Sequence, residues 1–489
     1  MVSRAKRDNV ALSAYRLGPN LVAASLLVFS SDALSHASEQ AFVLLLPTDF
    51  YIGTGVLAVV LTILLLVFMP DRLIHRLFSA RPISLKSTYS NKIETVCSTL
   101  SALLLMGLLW LGIAGPHDPL KNLLPLVIWT VWWIGLVILQ GVIGDIWRFV
   151  NPWTGPYRLL SRFVSASPPA RVSSHAGTWV ASITLLVFIA FSLADIAPDD
   201  PDRLSMVVAL YWVVTLILLF VFGENWLPRA ECFTVLMNFY GQLAPVRRDS
   251  NAQWFFGMPG WHAVAVPTVG VGAAVFVLFM LGSGSFDGLN ETFKWLAFIG
   301  VNPLEFPGRS AVVGKTVTGL IVANILLIVV FGLCTMLGVS LANRRHGEQP
   351  GGEQTVGFKV AFSALAISML PIAFAYHFAH FLTAFMVNIQ YTVAALSDPM
   401  NSGSDWLGLG QFYVTTGFMN SHHTVQAIWL TQAAVVVIGH VISVIIAHAI
   451  AVNLFGNARQ AIISQAPLAA FMVLYTFIGL WLLAAPRGA

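Results

Sequence analysis

Apolar runs of about twenty residues, separated by short polar connections, dominate the sequence. A helix of that length crosses the ~30 Å hydrocarbon core of a bilayer, so each run predicts a membrane-spanning helix. Ten such segments fall at approximately 50–69, 95–115, 122–143, 177–195, 204–223, 263–283, 311–340, 360–396, 426–452 and 465–485. The predicted fold class is therefore all-α, a polytopic transmembrane helix bundle of about ten helices. The longest connections are about 30 to 40 residues, so no soluble domain fits and any chemistry must use the bundle or its rims. Ahead of the ten segments, Arg4, Lys6, Arg7 and Arg16 precede the apolar stretch Leu21–Phe29. Nine residues rise only roughly 14 Å as a helix, so residues 1–35 read as a signal peptide, with Ala33 and Ser35 as the small residues before the cut. Cleavage after Ala37 or an uncleaved N-terminal helix are the alternatives. Residues 36–489 then form a single integral membrane helical domain.

Composition agrees: 57% of residues are apolar and only 10% charged, with a mean hydropathy of +0.79, which excludes a soluble globule. Charge adds an orientation. Sixteen Lys and Arg residues fall in the loops after the odd-numbered segments, among them Arg72, Arg148, Arg158, Arg229, Arg247 and Arg344. The opposite ends carry six, Lys121, Arg203, Lys294, Arg309, Lys315 and Arg487. The positive-inside rule places the basic loops in the cytoplasm and both mature termini outside. The lipid bilayer is the first expected partner. A net charge of +4 spread over many loops is no nucleic-acid signal, and Cys97, Cys232 and Cys334 stand too far apart for a metal or redox motif. A trace of repetition links 122–163 with 204–242: each holds a Gly–acid–x–Trp start, at Trp147 and Trp226, followed by an amphipathic stretch suited to lying at the interface. Such a two-helix repeat is common in transporters, although Trp and Arg anchor helices at any interface.

The eighth segment carries the candidate chemistry. At 100° per residue His377, His380, Asn388, Tyr391 and Asp398 fall within an arc of about 80°. Such a polar stripe must face the bundle interior or a cavity. The ninth segment brings His440 to similar depth, beside Gly439, which permits close helix approach, and His448 two turns deeper. His377, His380 and His440 have the spacing for a metal such as copper or zinc, and one histidine from each helix suits haem b. Interhelical hydrogen bonding or proton handling would use the same residues. No carboxylate stands in the middle of this site, so a carboxylate general base is not expected there. His422 and His423, near Asp398 in the loop between the two helices, form a possible outer-face metal site with His36. If the signal is cut after Ser35, the free amine and imidazole of His36 can chelate copper together.

Five fragments carry a resemblance: "SHASEQAFVLLLPTDFYIG", "GDIWRFVNPW", "AYHFAHF", "LSDP" and "GHVISVIIAH". Together they make the chain similar to the fenitrothion hydrolases, bacterial polytopic membrane proteins. His36, His377, His380, Asp398, His440 and His448 match the family's recurrent pattern, whereas the His422–His423 pair departs from it. The resemblance implies hydrolysis of an aryl phosphorothioate ester, a small apolar substrate and an inner-membrane location. A bound metal would supply both the activated water and charge stabilisation for that reaction. A transporter or metal-handling permease, or a haem- or copper-binding subunit working with partners in a respiratory complex, are the other readings. The topology is checked by reporter fusions after residues 86, 165, 245 and 350. All four are expected to report cytoplasm, and a periplasmic signal from any one overturns the assignment.

Overall fold

The computed structural model describes residues 43, 45–83, 91–163, 168–248, 253–265, 269–304, 308–346, 355–456 and 458–486. The expected signal peptide and His36 lie outside the described residues. Among the described residues ten helices are long and apolar enough to cross a membrane, and they form an all-α polytopic bundle. They are α1 (Thr48–Val67), α2 (Asn91–Ala114), α3 (Leu123–Ile143), α4 (Ala176–Ala194) and α5 (Pro201–Phe222), then α6 (Val271–Asn290), α7 (Val313–Arg344), α8 (Phe358–Ser397), α9 (His422–Phe455) and α10 (Ala458–Ala484). Burial divides them. In α6, α8 and α9 the most apolar stretches are 72%, 78% and 67% buried, against 22% for α1, α2, α4 and α5. The first three form the centre of the bundle, and the others turn Leu, Ile and Val side chains such as Leu104, Ile183 and Leu210 outward, as a lipid-facing shell requires.

Small residues set the central contacts. A Cβ on Gly439 would lie 2.8 Å from the Pro371 carbonyl oxygen, so α9 approaches α8 to backbone contact at this glycine. α6 differs from its expected position, running from 271 to 290 rather than 263–283. Trp261–Ala265 forms a separate short helix, and Gly270 sits at the N-terminus of α6. The sequence Gly-Ser-Gly-Ser at 282–285 lowers hydropathy and reads as a loop, yet it continues the helix. Its glycines face neighbours: a Cβ on Gly284 would lie 3.4 Å from the Tyr376 ring, and one on Gly282 would meet Asn324.

Two helices, α3 and α8, are irregular. In α3, Leu126–Leu136 is a π-helix that begins directly after Pro125, which has no N–H to give. In α8, a 3₁₀ turn at Ile367–Met369 precedes Leu370 and Pro371, where the proline removes another donor. The Ser368 carbonyl accepts a hydrogen bond from the Ser443 hydroxyl of α9, so the break is satisfied by the neighbouring helix.

At the basic end, strands β1 (Arg81–Ile83), β2 (Val246–Arg248) and β3 (Trp254–Phe256) form a small antiparallel sheet in the order β1-β3-β2. The two Gly–acid–x–Trp stretches follow α3 and α5 with the same local course. Gly144 and Gly223 both take positive φ, 117° and 77°, and a short helix begins at each tryptophan. Arg158 of the first stretch pairs with Glu224 of the second at 2.8 and 2.9 Å, and the buried Glu94 of α2 receives Arg148 and Arg158. The second stretch does not lie at the interface as its amphipathic pattern suggests. Helix Cys232–Tyr240 is buried along almost its whole length inside the bundle. It tolerates burial because its ends are satisfied: Glu231 accepts from the Phe233 and Thr234 amides at 2.9 and 2.6 Å, and Gln140 of α3 donates to the Met237 carbonyl at 3.0 Å.

Close packing at Gly439 gives a stability prediction. Gly439→Ala should destabilise the bundle by about 1–3 kcal/mol, read as a lower unfolding temperature in detergent. Gly107→Ala, where a Cβ meets nothing within 4 Å, should not lower it.

Candidate functional site

A cavity of about 660 Å³ opens at the end of the bundle opposite the basic loops and descends between α3, α4, α6, α8, α9 and α10. Its mouth is formed by Pro198 and Asp199 after α4, Glu291 after α6, Arg309 before α7, and Ala485 and Pro486 after α10. Its deeper wall is aromatic, with Trp129 and Trp133 of the π-helix, Tyr240 from the buried short helix, and Tyr376 and Phe381 of α8.

The stripe of α8 meets this cavity over only part of its length. His377, His380 and Asn388 line it. His377 Nε2 lies 2.9 Å from the Trp133 carbonyl of the π-helix. A carbonyl can only accept, so that nitrogen carries the proton and the contact ties α8 to α3. His380 Nε2 lies 3.1 Å from Asp287 Oδ2 of α6. The imidazole side chain is 9% exposed and the carboxylate 17%, and both line the cavity. His380 is covered on its other sides by Tyr376, whose ring stacks near parallel to it at 6.2 Å, and by Phe381 at 4.7 Å. The expected absence of a carboxylate from this site is therefore corrected: Asp287 stands in its middle. It escaped notice because α6 was expected to end at 283, which left Asp287 in a loop. An acid in a helix that runs "VGAAVFVLFMLGSGSFDGLN" is by itself a functional signal and would have revealed it.

Tyr391 leaves the cavity and packs beside Leu123 and Leu126 at the start of α3. Asp398 ends α8, and its carboxylate is used by its own loop, accepting from the Ser402 and Gly403 amides at 2.9 and 2.7 Å. Those bonds hold the exposed carboxyl below its ordinary range. His422 and His423 are exposed on the first turn of α9, their rings edge to face at 5.7 Å.

His440 does not join His377 and His380. Its Nδ1 lies 2.9 Å from the Val436 carbonyl of its own helix, and its ring lies 6.5 Å from that of Tyr475 on α10. Gly439 faces α8, so the next residue is turned about 100° away. His448, on α9, meets Gln465 of α10 at 3.2 Å beside a separate cavity of about 240 Å³. Among the described residues no group of three or more His, Cys, Asp or Glu side chains comes together to hold a metal ion. His377 and His440 each direct one ring nitrogen at a backbone carbonyl, His377 at Trp133 of α3 and His440 at Val436 of its own helix.

At the mouth, Arg309 donates to the Ser192 and Asp195 carbonyls at 3.1 and 3.4 Å. Asp199 is exposed at the rim, where the Arg309 charge acts on its carboxylate. The arrangement thus offers one acid–base pair at the foot of an apolar, aromatic chamber, reached past a charged rim. No family model matches the chain, and no curated protein or solved structure matches it.

The tie between α8 and α3 can be weighed. His377→Phe leaves the Trp133 carbonyl without its cross-helix donor and should destabilise the protein by about 1–3 kcal/mol. His423→Ala, on the exposed turn, should stay within about 0.5 kcal/mol. Thermal unfolding of the two variants in detergent checks both values.

Proposed function

We propose that the protein is a hydrolase of the bacterial inner membrane that cleaves a small, largely apolar neutral ester in the cavity, with Asp287 as general base. The reading rests chiefly on the Asp287–His380 pair, a carboxylate and imidazole 3.1 Å apart with the carboxylate still 17% exposed on a cavity wide enough for a drug-sized molecule. The resemblance to fenitrothion hydrolases supplies the substrate class, an aryl phosphorothioate triester. Its aromatic leaving group suits the ring-lined wall. The basic loops are assigned to the cytoplasm, which turns the mouth and the carboxy-terminus outward.

In the reaction Asp287 takes one proton from a water as the water oxygen bonds to phosphorus. His380 donates to the other carboxylate oxygen through Nε2 and holds the base in orientation. The phosphorus–aryloxide bond breaks with its electron pair on the aryloxide, and the proton held by Asp287 passes to that oxygen. Phenol and a phosphorothioate diester leave, and the pair is restored.

The test is turnover of a chromogenic nitrophenyl dialkyl phosphorothioate by the purified protein. Asp287→Asn should lower kcat by about 10²–10⁴-fold and His380→Gln by a smaller factor, with unfolding temperatures close to that of the parent. Equal turnover by the parent and Asp287→Asn would exclude the carboxylate as base.

A further inference from the structure

The charges around the cavity are uneven. Among the described residues that line it are three carboxylates, Asp199, Asp287 and Glu291, and one guanidinium, Arg309, which sits at the mouth beside Asp199. At the foot, His377 and His380 are the histidines that line the cavity with Asp287 among the described residues. His377 is tied to the Trp133 carbonyl, and His380 meets one oxygen of the carboxylate. A carboxylate in such surroundings attracts a cation and repels a second anion, and low polarity enlarges both effects. The walls add to this. The faces of aromatic rings carry negative potential, and Tyr376 and Phe381 pack on His380 while Trp133 packs on His377, all three lining the cavity.

We infer that the cavity is a binding site for amphipathic organic cations, with a primary ammonium on Asp287 and an aromatic or aliphatic body along the ring-lined wall. The ammonium donates to the carboxylate oxygen that His380 does not use, and the body replaces water against the apolar side chains. Anionic amphiphiles of the same shape are repelled by Asp287 at the foot. The inference shares with the proposed function the assignment of this cavity as a ligand site, but it does not require hydrolysis.

Three probes of one shape separate charge from greasiness: 4-phenylbutylamine, 4-phenylbutanol and 4-phenylbutyrate. Binding is measured by calorimetry on the full-length protein in lipid nanodiscs, with empty nanodiscs correcting for partition into lipid. The amine should bind at least about tenfold more tightly than the alcohol, and the carboxylate should show no saturable binding. Asp287→Asn should bring the amine to the affinity of the alcohol while alcohol binding stays unchanged, which also reports that the chamber is intact. Equal affinity for amine and alcohol in the parent overturns the inference, and that comparison decides even if the variant does not fold. Retention of the amine preference by Asp287→Asn overturns it too. Ester turnover is scored separately: amine binding without turnover removes only the hydrolytic reading, and turnover without amine preference removes only this one.

Discussion

A carboxylate inside a bundle of apolar helices needs a partner, and here the partner must come from another helix. The Asp287–His380 contact joins α6 to α8, two of the three most buried helices. Uncompensated, either group would cost several kcal/mol to hold away from water. Hydrogen-bonded across the interface, they fix the rotation of both helices about their axes, because the pair exists at only one azimuth of each. The glycines of α6 then become intelligible. They let Tyr376, one turn before His380, press against α6, so the contact is made at short range.

The same demand explains why the backbone is irregular where the polar groups collect. A regular helix uses all its interior carbonyls within itself and offers little to a neighbour. The π-helix of α3 and the 3₁₀ turn of α8 present carbonyls that side chains from other helices reach: Trp133 takes His377, and Ser368 takes Ser443. Both breaks lie beside prolines that remove a donor. Irregular backbone is tolerated at membrane depth where protein rather than lipid covers it, and both segments are covered by the central helices.

Length and hydropathy made the ten spans legible, because bilayer thickness imposes a period that any apolar run of twenty residues satisfies. The inward face of the stripe was legible as well: His377, His380 and Asn388 do line a cavity, as a polar stripe requires. The register and azimuth between helices were not. Gly439 packs on Pro371 and Ala375 while Gln432 reaches Ala379, so His440 lies below His380, and one residue past the glycine that faces α8 it turns toward Tyr475 of α10. Asp287 was lost for a related reason, since glycine and serine lower local hydropathy whether they end a helix or pack it tightly. The buried helix Cys232–Tyr240 was misplaced because its amphipathic pattern reads the same at a lipid interface and against a bundle. Gln140 of α3, which donates to the Met237 carbonyl from outside the segment, marks the bundle side of that choice.

That helix also determines how the cavity is supported from below. Its last residue, Tyr240, lines the foot of the chamber and its ring lies 6.3 Å from that of His377. Its first turn hangs from Glu231, to which Tyr211 of α5 donates, and Thr234 accepts from the Trp147 indole at 3.0 Å. Trp147 belongs to the stretch whose Arg148 and Arg158 enter the Glu94 and Glu224 network at the basic end. A continuous set of hydrogen bonds and ion pairs therefore runs from that charged end to the floor of a cavity that opens at the other. Because Glu94 and Glu231 are buried, losing a partner anywhere along it leaves a charged or polar group uncompensated in an apolar setting. The floor is held by polar bonds that lipid and apolar packing cannot replace, and the position of His377 and Tyr240 against the Asp287–His380 pair depends on them.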